Sequence, residues 1–184
     1  MALKSTIFKA ALQIADMDRG YYGDHTVTVA RHPSETDERM MVRLLAFALH
    51  ANDALTFGSG LSAEDEPELW RKDLTGGIDC WIDVGLPDEK RLRKACGRAN
   101  EVFVYAYGGR ATDMWWRQVG ELLAKQEKLT VYALPHEATK ALAALATRNM
   151  ELQFSIQEQQ ALVTDGQASV QIDLQGLQAA KPKG

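Results

Sequence analysis

The sequence predicts an α/β fold, a mixed β-sheet with flanking helices, and three observations carry that expectation. Strand-like alternation and helical apolar stripes follow one another along 184 residues with no repeat, low-complexity stretch or linker between them. Val102-Phe103-Val104-Tyr105-Ala106-Tyr107 is apolar at both alternating positions, as a strand covered on both faces is, which places it at the sheet centre. The piece from Ser34 to Leu134 reads αβββαβ, with β segments added before and after it. A single domain over residues 1–184 follows, with its core at about 34–134.

The first element is a hairpin. Phe8, Ala10, Leu12 and Ile14 recur at period two, Val27 and Val29 alternate with threonines, and Asp16 to Gly23 between them is rich in turn formers. Pro33 and Ser34 open a helix: Ser34 with Asp37 resembles a capping box, and Glu35, Asp37 and Glu38 suit a helix N-terminus. Met41, Leu44, Leu45 and Ala48 form its apolar stripe.

Leu55 to Leu61 is a loop with a small strand element, followed by the acidic run Glu64, Asp65, Glu66. Two strands then flank the Thr75-Gly76-Gly77 turn, one marked by Leu69 and Trp70, the other Ile78 to Val84. A cationic helix follows, with Pro87 at its first position and Leu92, Ala95, Cys96 and Ala99 inward. After the central strand come a helix from about Thr112 to Gln126, a strand from Leu129 to Leu134, and a helix opened by Pro135. The remainder turns to β, with Asp165-Gly166 as a hairpin signal and residues 179–184 as a frayed tail.

Composition narrows the function classes. A net charge of −4 and a pI of about 5.6 give no overall pull toward nucleic acid or anionic lipid, so any phosphate-binding surface must be local. Cys80 and Cys96 belong to no metal-spaced cluster and read as small buried residues in a reduced compartment. The four histidines lack ligand spacing. No run approaches the roughly 18 apolar residues of a membrane helix, and the N-terminus lacks a leader's apolar core, so a cytoplasmic protein with no membrane partner is expected.

The stretch from Glu66 to Ala95 is where chemistry would sit. Glu68 near the start of one strand and Asp83 near the end of the next fall at the same end if the two form an antiparallel hairpin. Asp83 lies in a mostly apolar strand, so it is solvated at the strand end, paired with a cation, or bound to metal. Lys90, Arg91, Lys94 and Arg98 make a continuous cationic strip on the next helix, either a solvated face or a track for phosphates. Gly108-Gly109-Arg110 before a helix resembles a small anion-binding turn.

Four segments together resemble the YaeQ family: HPSETDERMM at 32–41, EPELW at 66–70, WIDVGLPDEKRLRKA at 81–95 and VYAYGGRATDMWW at 104–116. The resemblance implies a variant of the PD-(D/E)XK restriction-endonuclease-like αβββαβ core. It further implies a Mg²⁺- or Mn²⁺-dependent phosphodiesterase acting on nucleic acid. On that pattern Glu68 and Asp83 are the metal-binding acids, with Glu38 and Glu66 as outer contributors, and Arg91, Arg98 and Arg110 meet nucleic acid. The lysine expected two positions after the second acid is Gly85 here, so its role would pass to Lys90 or Lys94. The alternative is a non-catalytic module that keeps the scaffold to bind a protein or nucleic-acid partner.

Overall fold

The computed structural model describes residues 4–60 and 65–182; Glu64 of the acidic run, and Lys183 and Gly184 of the tail, lie outside them. In order the elements are β1 (Thr6–Asp16), β2 (Tyr21–Arg31), α1 (Asp37–Leu49), β3 (Leu55–Phe57), β4 (Leu69–Lys72), β5 (Ile78–Val84), α2 (Glu89–Arg98), β6 (Ala99–Ala106), α3 (Arg110–Leu123), β7 (Leu129–Ala133), α4 (His136–Ala143), β8 (Asn149–Gln157), β9 (Gln160–Thr164), β10 (Ser169–Asp173) and β11 (Gln175–Gln178). The order from α1 to β6 is αβββαβ, and α3 and β7 follow it before Leu134, so the stretch expected to read αβββαβ reads αβββαβαβ. Although the sequence shows no linker, the chain's contacts group into two compact units. One is Met1–Ala51 with Pro135–Leu174; the other is Asn52–Leu134 with Gln175–Gly184. Thus α1 belongs to the first unit and β3 to β6 to the second.

The first unit holds a five-stranded sheet in the order β10-β9-β8-β1-β2. The expected hairpin is there, longer than the alternation alone marked, running from Thr6 opposite Arg31 to Asp16 opposite Tyr21. Phe8, Ala10, Leu12 and Ile14 are buried, and so are Met150, Leu152, Phe154 and Ile156 on β8, which runs parallel to β1. Period-two burial with polar residues between is what one solvated sheet face requires. Helix α1 packs on α4 and touches β1 and β2.

Two expectations about α1 are corrected. Its N-cap is Thr36, whose Oγ1 accepts from the Arg39 amide at 3.1 Å, while Ser34 instead pairs with the His32 ring at 2.7 Å. Glu35 precedes the helix and turns inward, 9% exposed, to an ion pair with the buried Arg43. A carboxylate in an apolar interior needs such a partner more than it needs the helix dipole. The apolar stripe also widens: every residue from Met40 to Leu49 is buried, so α1 is a core helix.

The second unit holds a six-stranded sheet in the order β11-β7-β6-β5-β4-β3. Strands β5, β6 and β7 run parallel, and β3, β4 and β11 are antiparallel to their neighbours. Val104 and Tyr105, on opposite faces of β6, are both buried, as the doubly apolar run predicts. Helices α2 and α3 cover the face that carries Trp81, Val102, Val104 and Val131, through Leu92, Ala95, Cys96, Trp115 and Val119. Asp73 organises the β4–β5 turn, its Oδ1 accepting from the Thr75 and Gly77 amides at 2.8 Å each. Strand β11 was not expected: Gln175-Gly176-Leu177-Gln178 has no alternation and is a strand because the β7 edge offers it partners.

The cap of α2 also differs from expectation. Asp88 is the N-cap, its Oδ1 accepting from the Arg91 amide at 2.7 Å, and Pro87 stands one residue before it. At the other end, Lys128 Nζ donates to the Cys96 and Ala99 carbonyls at 3.2 Å each, a cation placed on orphaned C-terminal carbonyls. Among the described residues no helix is long and apolar enough to cross a membrane.

Candidate functional site

The antiparallel β4–β5 hairpin sets Leu69 opposite Ile82 and Trp70 opposite Trp81. Continued by one residue, that register brings Glu68 across from Asp83 on the same sheet face. The two acids therefore meet at one end, as expected. Trp81 and Asp83 lie on the face covered by α2, because alternate residues of a strand share a face.

Asp83 is 2% exposed, and each of its carboxylate oxygens accepts a hydrogen bond from Arg91. Arg91 Nε donates to Oδ2 at 2.8 Å and Nη2 donates to Oδ1 at 3.0 Å, a bidentate pair. The same Nη2 donates to the Glu66 carbonyl at 2.8 Å. The hydrogen bonds to Asp83, then the nearby charges of Asp83, Glu68 and Asp88, hold the Arg91 guanidinium above its ordinary pKa, against a burial that opposes them. Of the three states open to Asp83 from sequence, the structure has the cation-paired one. A divalent ion at Asp83 would have to share the carboxylate with the guanidinium or displace it.

The other expected acids are placed differently. The Glu66 side chain is turned to Ser59, whose amide donates to Oε2 at 2.7 Å; hydrogen bonding from Ser59 holds that carboxyl below its usual range. Glu66 thus meets Arg91 through its backbone alone. Glu38 belongs to the first unit, where its Oε2 accepts from Thr139 Oγ1 at 3.0 Å. Among the described residues no group of three or more His, Cys, Asp or Glu side chains is placed to hold a metal ion.

Gly85, standing where the motif lysine would be, has φ +91° and donates its amide to the Tyr105 carbonyl at 3.0 Å. That backbone region favours glycine over any side chain, lysine included. Burial pushes the thiols of Cys80 and Cys96 up to about 12 and about 11, so both stay protonated, as inert core residues do.

The four cations of the strip on α2 divide; a fifth, Arg93, pairs with Glu89. Lys90 and Lys94 are exposed and make no ion pair with any described residue. Arg98 donates to the Asp65 carbonyl at 2.7 Å and lies 5.2 Å over the Trp81 ring; Arg91 lies 5.7 Å from the same ring. Together with Asp65, Trp81 and Asp88, these cations line an open cavity of about 390 Å³. Arg110, exposed at the start of α3, is not part of it; it follows Gly108 and Gly109, with φ of +128° and +63°. Larger cavities of about 500 and 570 Å³ elsewhere contain none of the expected site residues.

Comparison with known proteins agrees with this architecture. The family model described as "YaeQ protein" matches residues 1–174. "Uncharacterized protein YaeQ" of Salmonella typhi is 46% identical over 174 residues, covering 95% of this chain and 96% of that protein. Its counterpart in Escherichia coli (strain K12) is 44% identical over the same share. The crystal structure of YaeQ protein from Xanthomonas axonopodis pv. citri, 49% identical, superposes with a TM-score of 0.92 over 97% of this chain and 99% of that one. The one from Pseudomonas syringae, 38% identical, gives 0.91 over 97% and 98%. With a family model over nearly the whole chain and relatives this similar, the chain belongs to the YaeQ family.

Proposed function

We propose that this chain binds nucleic acid along the phosphate backbone, with α2 as the contact surface and the nuclease-like scaffold serving as a binding module. One observation carries the reading: Arg91 neutralises Asp83, while Lys90 and Lys94 face an open cavity beside Arg98 in a chain of net charge −4. Lys90 with Lys94, and Lys94 with Arg98, are like charges four residues apart, a spacing that costs an isolated helix a few tenths of a kcal/mol each. A phosphate strand relieves that repulsion and releases its own counterions in return. Asp65 and Asp88 also line the cavity, and the cations outnumber them.

Fluorescence anisotropy of labelled oligonucleotides over a salt series tests the reading. Lys90→Ala and Lys94→Ala should each weaken binding at all sequences and lower the log–log salt slope by about 1. Absence of binding at low salt, or slopes unchanged in both variants, rejects it.

The register favours a second reading, phosphodiester hydrolysis with Mg²⁺ or Mn²⁺ at Glu68 and Asp83, since paired carboxylates are the donors such ions take. In that reading Lys90 or Lys94 faces the phosphate, and the ion competes with Arg91 for Asp83. Calorimetric titration with Mn²⁺ separates the two: hydrolysis requires binding that is lost in Asp83→Ala and tightened in Arg91→Ala. The binding-module reading expects no Mn²⁺ site at Asp83 in the unaltered chain.

A further inference from the structure

We infer that Trp70 is a base-stacking platform, so that the nucleic acid taken by this surface is single-stranded. The inference rests on the nucleic-acid reading above and adds to it the class of strand. Trp70 stands opposite Trp81 in the β4–β5 ladder, hence on the sheet face that carries the cationic cavity. The two indoles meet edge to face, with centroids 6.4 Å apart at 85°. Arg98 and Arg91 lie over Trp81, and Lys72 Nζ lies 3.9 Å over the Trp70 ring. The pair of tryptophans is thus flanked by cations, Lys72 on the Trp70 side and Arg91 and Arg98 on the Trp81 side.

Their burial differs in a way that assigns roles. Trp81 is 2% exposed and forms the floor under α2. Trp70 is only partly buried, and its partner on the far side, on the edge strand β3, is the short and exposed Thr56. Lys72 is itself exposed, at the end of a flexible stem. An unpaired base takes the place of the Lys72 ammonium on the ring, and the ammonium moves to a flanking phosphate. A partly open aromatic beside a cationic track is the combination by which proteins hold single strands without reading sequence. A duplex offers no base face to such a ring, because its bases already stack on one another.

Anisotropy titrations of the full chain with an oligothymidylate, an abasic strand of the same length and a duplex test this. The oligothymidylate should bind tighter than the other two, and Trp70→Leu should weaken it about tenfold while leaving the abasic strand unchanged. Trp70→Phe should fall between, and far-UV circular dichroism of both variants checks that the sheet is retained. If Trp70→Leu weakens thymidylate and abasic strands alike, or if the duplex binds as well as the single strand, the stacking role is overturned and the phosphate-binding reading stands. If none of the three binds, both fall together.

Discussion

Arg91→Ala is expected to destabilise the second unit by about 2–3 kcal/mol. Removing one partner of a buried ion pair costs about 3–5 kcal/mol because the other charge is left without a counterion, and the partial exposure of the guanidinium reduces that figure. The Arg91 side chain is 29% exposed and that of Asp83 3%, so the loss strands a carboxylate with almost no access to water. Glu68 opposite it adds a like charge that Arg91 had offset. All four tryptophans, at 70, 81, 115 and 116, lie in the second unit, so indole emission during a urea titration reports on that unit alone. The double variant Asp83→Leu/Arg91→Met should recover most of the loss, since an apolar pair of similar volume replaces a buried ion pair at little cost. Equal destabilisation by the single and double variants would mean that packing of the Arg91 stem, not its charge, holds the hairpin end.

How far the sequence foretold this site can be judged on α2. The meeting of Glu68 and Asp83 was legible because turn residues and alternation fix a hairpin register. The separate role of Arg91 was not drawn out, because Lys90, Arg91, Lys94 and Arg98 look alike as a strip of charge. A signal was there: at 3.6 residues per turn Arg91 lies about a quarter-turn from the stripe of Leu92, Ala95 and Cys96, whereas Lys90 and Lys94 lie nearly opposite it. The place of the Glu66 side chain was not legible, since its partner is a backbone amide, that of Ser59, which no sequence pattern marks.

The fold shows the same division. Strands β1, β2, β5 and β6 announce themselves by apolar period, and α2 by its stripe. What local pattern does not contain is partnership between distant segments. Strand β8 pairs parallel with β1, Lys9 opposite Asn149, and β11 exists only because the β7 edge accepts it. The grouping into two units follows from those long-range pairings, which no linker in the sequence announces.

The glycine that admits β4 to its place provides the other large effect: Gly58→Ala is expected to cost about 2–4 kcal/mol. Its φ is not in the left-handed region, so the penalty is one of space. A Cβ there would lie 2.0 Å from the Pro67 carbonyl oxygen and 3.2 Å from its carbon, both backbone atoms that no side-chain rotation can move. The Gly58 amide also donates to the Glu68 carbonyl at 2.9 Å, so relief of the clash pulls on the residue facing Asp83. Gly60 is the control, with φ +99° and nothing within 4 Å of an added Cβ; alanine there costs only its backbone conformation, about 1–2 kcal/mol. Urea denaturation followed by indole emission compares the two. Gly58→Ala should be the less stable, and it alone should shift the Trp70 and Trp81 emission of the folded state, because β4 carries the clash into the tryptophan ladder. If the two variants unfold at the same urea concentration, the close approach of Pro67 to Gly58 does not set the position of Glu68.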